Sequence, residues 1–276
     1  MLKNLIMSER DVPFAVELTK YEGWNYSEDD FLRLLKLNPS GCFVSWKDAN
    51  RAGIVTTSIY GMYAFIGTLI VKQEYRKQGI GRSLLEFAMK HLQESGVITI
   101  ELDGVFSAVE LYRELGFQDK YLSLRLEKVP GNKSDDTVLY QPQDFDGIIE
   151  LDSELTRIKR ECLLREYLNT FKDSVFMLKK KEVEAYAIVV PKTKKSVSIT
   201  FFISKTIEGG EVILNSILKR FQDKTIYIGI PEINRESVKL VSSKGFLYRE
   251  PSLRMYSGKR IQYENFMYGI VSPEKG

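Results

Sequence analysis

One stretch of the sequence, Ala64 to Leu92, combines a strand pattern, a basic loop with two glycines and a helix pattern. Residues 64–71 are nearly all apolar and lack helical spacing, which is typical of a strand buried on both faces. From Ser83 onward the apolar residues fall on one stripe of an amphipathic helix. The order of strand, tight loop and helix favours an α/β fold.

The loop between this strand and this helix suits a phosphate group. Gly79 and Gly81 allow positive φ and close backbone approach, so successive N–H groups can point inward as an anion nest. The helix adds unpaired N–H groups and the positive end of its dipole, and Arg76, Lys77 and Arg82 add full charges. The alternative is a tight turn with solvated cations. The candidate pyrophosphate-binding residues are Arg76, Lys77, Gln78, Gly79, Ile80, Gly81, Arg82 and Ser83.

Two common nucleotide-binding fingerprints do not fit this loop. It has no Gly-Lys-Ser/Thr sequence, so it is not a phosphate loop of the NTPase type. The third glycine of the dinucleotide fingerprint is also absent, since Leu84 stands at that position. A different class of phosphate ligand is therefore needed.

Two motifs in order resemble the GNAT N-acetyltransferase superfamily. The first is Arg76-x-x-Gly79-x-Gly81-Arg82-x-Leu84, and the second is Ala108-x-x-Leu111-Tyr112-x-x-x-Gly116-Phe117. The resemblance implies an α/β fold with a mixed sheet, with acetyl-CoA as co-substrate and no metal. It also implies that the loop binds the CoA pyrophosphate. The pantetheine arm carries two amides, and by the same resemblance they pair with the strand end at Leu69, Ile70 and Val71.

The same resemblance implies acetyl transfer to a primary amine and assigns Tyr112 to the cofactor sulfur, as its proton donor or hydrogen-bond partner. The base is left open. Residues 60–71 contain no acid, so the candidates are Glu22, Asp103 or a chain of water molecules. Glu22 could equally be a solvated loop carboxylate, and Asp103 a strand-end cap.

An aromatic segment after the first predicted helix is a candidate acceptor site. Aromatic faces and carboxylates both favour a cationic amine, and the candidate residues are Tyr21, Trp24, Tyr26 and Tyr63. The alternative for Trp24 is packing into the core. The expected acceptor is a small-molecule amine in preference to a peptide or protein amine.

The second half of the chain repeats the first in outline. The strand at 97–102 corresponds to 225–230, and Gly116-Phe117 corresponds to Gly245-Phe246. A Pro, Gly and polar segment at 130–136 predicts a boundary between a domain at 1–130 and a domain at 131–276.

The second copy has lost the chemistry-bearing residues. It lacks the Arg-x-x-Gly-x-Gly series, and Val241 stands at the Tyr112 position. Gly209-Gly210 predicts a turn into its helix. The chain as a whole resembles a tandem GNAT subgroup, which has Glu-Gly-Trp-Asn (22–25) and Leu-Asp-Gly-Val (102–105). The second domain is therefore predicted to be degenerate.

Composition narrows the class of protein further. No run of 18 apolar residues occurs, and the first ten residues lack a signal-peptide core, so we expect a cytoplasmic protein without a membrane segment. Cys42 and Cys162 are expected to be free, buried thiols. A single histidine, His91, argues against a histidine-based metal site.

Two other functional classes stay open at this level. One is a CoA-binding sensor or scaffold without turnover, against which Tyr112 and the intact loop argue. The other is a nucleic-acid-associated protein, since the net charge is +3 with lysine runs in the second half. The basic residues lack an aromatic-interleaved face, which disfavours nucleic acid. The sequence makes no prediction of the oligomeric state.

Overall fold

The computed structural model describes residues 1–24, 26–131, 144–272 and 275–276. The chain forms two compact units: unit 1 comprises Met1–Asp119, Met255–Arg260 and Pro273–Gly276, and unit 2 comprises Lys120–Arg254 and Ile261–Ser272. Most of the predicted boundary segment, residues 132–136, lies outside the described residues. Asn25, the last residue of the Glu-Gly-Trp-Asn motif, also lies outside them. The domain limits at 1–130 and 131–276 stay a prediction.

Unit 1 is a sheet covered by helices on both faces. Its elements are β1 (Leu2–Ile6), α1 (Val12–Tyr21), α2 (Glu28–Leu37), β2 (Cys42–Lys47), β3 (Asn50–Tyr60), β4 (Tyr63–Val71), α3 (Ile80–Glu94), β5 (Thr99–Gly104) and α4 (Val109–Glu114). The strands lie in the order β1-β2-β3-β4-β5. Only the β4–β5 pair is parallel among these neighbours, so the predicted mixed α/β sheet is confirmed.

The alternation of β2 separates the two faces of this sheet. Cys42 and Val44 lie in the core formed with α1 and α2. Phe43 points the other way, and its ring meets Phe87 of α3 edge-on with centroids 5.0 Å apart. His91 packs on the same ring. We call these the α1/α2 face and the α3 face.

Strand β1 has no counterpart in the sequence prediction. It pairs antiparallel with β2 along its whole length, yet Leu2, Leu5 and Ile6 are exposed. An edge strand without alternating burial leaves no periodic signal. Its pairing with β2, more than 40 residues away, is what makes it a strand.

A bulge in β4 opens the middle of the sheet. Opposite β3 the register shifts between Ile54 and Thr56, and Thr68 takes a positive φ of 44°. The parallel β4–β5 pairing runs to Ile66 opposite Leu102 and ends there. A bulge bends and twists its strand, so the end of β4 diverges from β5.

Unit 2 repeats this arrangement. Its elements are β6 (Gln118–Lys128, shared with unit 1), α5 (Phe145–Thr156), α6 (Glu161–Thr170), β7 (Val175–Lys179), β8 (Val183–Thr193), β9 (Ser196–Ser204), α7 (Ile207–Arg220), β10 (Thr225–Pro231), α8 (Arg235–Ser243), β11 (Leu247–Gly258, shared with unit 1) and β12 (Met267–Gly269). Strand β9 carries the same bulge, with Phe201 at a φ of 48°. Strand β10 pairs with β9 from Thr225 to Ile228, as β5 pairs with β4 from Thr99 onward. Thr225 therefore corresponds to Thr99, two residues away from the position that the sequence repeat predicts.

Two sequence expectations are wrong in detail. Gly209 and Gly210 lie inside α7 and make no turn before it, because Thr206 caps the helix by accepting from the Gly209 N–H at 3.1 Å. At Gly210 a Cβ would meet the Tyr268 ring at 2.8 Å, so the glycine serves close packing. Cys162 is exposed, whereas Cys42 is buried as expected.

Candidate active site

The end of β4 is the backbone feature on which the site is built. Leu69, Ile70 and Val71 follow the point where β5 separates, so in the part of the chain that the structure describes no strand pairs with that edge. The carbonyl of Val71 accepts a hydrogen bond from Arg76 Nε at 2.9 Å. The edge therefore offers main-chain groups to a ligand that carries amides.

The loop after β4 leads into an uncapped helix. Gly79 is the N-cap of α3 with a φ of 78°, and no side chain caps the helix there. Lys77 also takes a positive φ, 59°. Gly81 lies within α3 and has no positive φ, so the expected backbone conformation is wrong, and its role in binding the pyrophosphate stays a prediction. The first N–H groups of α3 are left without helical acceptors, which suits an anion.

Two of the three loop cations already have carboxylate partners. Arg76 forms an ion pair with Glu22, and Arg82 pairs with Glu114. Lys77 is exposed. Because exposed ion pairs are weak, a pyrophosphate can compete for both guanidinium groups. The pairing also shows where the structure places Glu22, namely beside the loop.

Tyr112 lies on α4 with 6% of its surface exposed. Its ring is edge-on to Phe117, with centroids 6.1 Å apart. Its Cε2 would lie 2.8 Å from a Cβ at Gly104, so the ring packs on the α3 face of β5. Burial raises the pKa of the Tyr112 phenol to about 12, and the group stays protonated at neutral pH.

Glu101 is a buried carboxylate that the sequence analysis missed. It is fully buried in β5, opposite Phe65 of β4 and one pair before the strands separate. The Tyr63 hydroxyl donates to its Oε2 at 3.0 Å. Strand register places it on the α1/α2 face, opposite to Tyr112. An acid between two apolar residues of a predicted strand, Ile100 and Leu102, was the signal in the sequence.

The remaining predicted residues fall in different places. Asp103 is half-buried on the same face of β5 as Glu101. Trp24 and Tyr26 pack against the core of α1 and α2. Tyr21 is 74% exposed, and its hydroxyl donates to Glu17 at 3.3 Å. Of the four aromatic candidates, the structure brings only Tyr63 against a buried carboxylate.

Comparison with known proteins decides the family. Residues 6–117 match the family model described as the acetyltransferase (GNAT) family, and residues 148–269 match the acetyltransferase (GNAT) domain. The chain belongs to the GNAT acetyltransferase family. Both GNAT domains predicted from the sequence are thereby confirmed.

Relatives of known structure share the fold of this GNAT protein. A candidate acetyltransferase from Pyrococcus horikoshii superposes with a TM-score of 0.84 at 21% identity, covering 100% of this chain and 96% of the other. A tandem GNAT protein of clavulanic acid biosynthesis has a TM-score of 0.62 at 12% identity, covering 94% and 98%. The bS18-alanine N-acetyltransferase of Escherichia coli K12 is 26% identical over 99 residues, 35% of this chain and 67% of that protein.

In the second GNAT domain, the strand edge that corresponds to the open edge of β4 is paired within that domain. Strand β12 pairs with β9 at Ile203 and Phe202. The bulge residue is Thr68 in the first domain and Phe201 in the second, so equivalent residues of β4 and β9 are 133 positions apart. Ile203 and Phe202 therefore correspond to Ile70 and Leu69. The N–H of Ile270, just after β12, donates to Gly229 of β10 at 2.9 Å. In the second domain, a strand of the protein itself therefore pairs with the edge that stays open in the first domain.

The metal-ligating side chains of the described residues form no cluster of three or more. Within the same residues, no helix is both long and apolar enough to cross a bilayer.

Replacing Gly79 by Val should weaken acetyl-CoA binding at least tenfold, about 1.4 kcal/mol. A β-branched residue is strained at a φ of 78°, so the N–H groups of the loop should lose their alignment. Calorimetric titration measures the effect. Gly96→Val is the matched control, because Gly96 also has a φ of 78° and open space at Cβ but follows the other end of α3. Equal affinity in the two variants would contradict the prediction.

Proposed function

We propose that the first GNAT domain transfers an acetyl group from acetyl-CoA to a primary amine. The observation that carries this proposal is the end of β4, whose edge toward β5 is unpaired among the described strands, together with the uncapped N-terminus of α3. One feature suits the pantetheine amides and the other suits the pyrophosphate. Acetyl-CoA, when bound, supplies the thioester.

The residues of the loop bind and orient the co-substrate. Backbone N–H groups at residues 78–82 hold the pyrophosphate, with Arg76, Lys77 and Arg82 contributing charge. The backbone of Leu69–Val71 pairs with the pantetheine arm. In this proposal, a β4 N–H group of this segment stabilises the negative charge that develops on the thioester oxygen.

Glu101 and Tyr112 divide the proton transfers. Glu101 takes a proton from the acceptor ammonium, directly or through water, and the neutral amine then attacks the thioester carbon. As the C–S bond breaks, Tyr112 protonates the thiolate or stabilises it by a hydrogen bond. The second proton, which the nitrogen loses after the C–N bond forms, passes through water to the phenol or to the thiolate. Their positions on opposite faces of β5 fit these two roles. We prefer Glu101 to Glu22 and Asp103, because it alone of the three is fully buried beside the opening.

The proposed acceptor is one class of amine. We favour a small-molecule primary amine, with a peptide amine second because the Escherichia coli relative is named for a ribosomal protein alanine. A screen of small amines and short peptides, followed by mass detection of released CoA, tests the proposal. Binding of acetyl-CoA without any release of CoA would favour a CoA sensor. Free thiols suit a reducing compartment, and we place the protein in the cytoplasm.

We expect each chain to bind one acetyl-CoA. In the second GNAT domain, β12 fills the strand opening and Val241 replaces the phenol. Calorimetry should therefore give a stoichiometry of one per chain, and Gly79→Val should weaken that single event. Two equivalent binding events would show that the second domain is still a CoA site.

A further inference from the structure

Lys275 and Gly276 are buried within unit 1. Only 1% of Lys275 is exposed, although lysine is almost never fully buried in proteins unless it is paired. The Tyr60 hydroxyl donates to the Lys275 carbonyl at 3.0 Å. A Cβ on Gly276 would lie 3.0 Å from the Phe65 ring and 3.4 Å from the Tyr63 hydroxyl. These contacts hold a short piece of peptide backbone.

The residues that hold this peptide surround Glu101. The Tyr60 and Tyr63 rings stack with centroids 6.0 Å apart, and the Tyr63 hydroxyl is the donor to Glu101. Phe65 is the β4 residue opposite Glu101. Lys275 and Gly276 therefore lie on the α1/α2 face, next to the carboxylate proposed as the base.

The lysine side chain lies within electrostatic reach of Cys42. Burial raises the pKa of the Cys42 thiol to about 12, and the Lys275 charge opposes that rise. Cys42 is opposite Thr56, and Thr56 is opposite Gly67, the residue before the bulge. The Lys275 backbone, held by the Tyr60 hydroxyl, is thus on the side of the sheet where an acceptor amine would meet the opening.

We propose that Lys275 and Gly276 occupy the acceptor site as an internal substrate mimic. The inference rests on the proposed function and deepens it. A site that buries a lysine whose carbonyl is held by Tyr60, with the next residue beside Phe65 and Tyr63, is suited to a primary alkyl amine of the lysine type. The external acceptor is then of the same class, a lysine-like amine, and it must displace Lys275 to bind.

Binding of a lysine analogue tests the inference without turnover. The probe is Nα-acetyl-lysine methylamide, titrated by calorimetry in the absence of acetyl-CoA. Lys275→Ala should bind it at least tenfold more tightly than the wild-type chain does. Lys259→Ala is the matched control, since Lys259 is an exposed lysine of the same unit, and it should bind as the wild type does.

The outcomes separate this inference from the proposed function. Equal probe affinity in Lys275→Ala and wild type, or no probe binding by either, would overturn it. Failure of the proposed function would appear instead as loss of acetyl-CoA binding or CoA release in the wild-type chain. If circular dichroism shows that Lys275→Ala does not fold, a chain ending at Ser272 replaces it in the titration. That chain should also bind the probe at least tenfold more tightly than the wild type, and equal affinity would overturn the inference.

Discussion

Tyr112→Phe is expected to lower kcat by roughly 10²-fold while leaving acetyl-CoA affinity nearly unchanged. Phenylalanine keeps the ring that packs on Phe117 and Gly104, so the fold and the co-substrate site should survive. The sulfur gains negative charge only as the C–S bond breaks, and a hydrogen bond to it strengthens in the transition state. The loss should therefore appear in the chemical step, which single-turnover kinetics isolates.

The pH profile gives a second measurement on Tyr112. Its pKa of about 12 means that the phenol stays protonated below about pH 11. A fall in kcat at lower alkaline pH should therefore come from another group and persist in the Phe variant.

Tyr268→Phe is the matched control for the loss of a buried phenol. Tyr268 is 1% exposed in the second GNAT domain, and burial also raises the pKa of its phenol. We expect this variant to keep the wild-type kcat. If Tyr112→Phe keeps the wild-type kcat, Tyr112 serves in packing and takes no part in the chemical step.

Glu101→Gln is expected to lower kcat by about 10²-fold or more, because glutamine cannot accept the proton of the acceptor ammonium. Its amide oxygen can still accept the hydrogen bond that Tyr63 donates to the carboxylate, so local structure should persist. The defect should shrink as the pH rises toward the pKa of the amine, since the acceptor is then already neutral. A pH series of kcat/KM measures this change.

The other two carboxylates serve as controls for Glu101. Glu22→Gln removes the partner of Arg76, so we expect a change in acetyl-CoA affinity with little change in kcat. Asp103→Asn should keep most of the activity, because this side chain is only half-buried at the strand end. A large loss in either variant, with wild-type activity in Glu101→Gln, would move the base to that residue.

The two GNAT domains share a strand bulge and differ in how the strand edge beyond the bulge is paired. In the first domain, the end of β4 pairs with β3 on one edge, and its edge on the β5 side has no partner among the described strands. In the second domain, β12 fills the corresponding edge of β9. A buried strand edge needs a hydrogen-bonding partner. The proposed function makes acetyl-CoA that partner in the first domain, whereas the chain itself is the partner in the second.

The local elements of this protein could be predicted from its sequence. Strand β4, helix α3 and the glycine-containing loop between them are indicated by apolar periodicity and glycine placement. The capping box at Ser27 and Asp30 marks the start of α2, and Asn234 marks the start of α8. These features depend on interactions within a few residues, which a sequence pattern records directly. The repeat could be recognised for the same reason.

Contacts between distant residues were decided only by the tertiary structure. Strand β1 exists through its pairing with β2, and β12 through its pairing with β9. Glu101 became a candidate base only when register placed it beside the end of the β4–β5 pairing. Lys275, 215 residues from Tyr60 in sequence, reached the same face of the sheet. Periodicity reports which face a residue takes within its own element, whereas strand order, bulges and chain path determine which residues meet there.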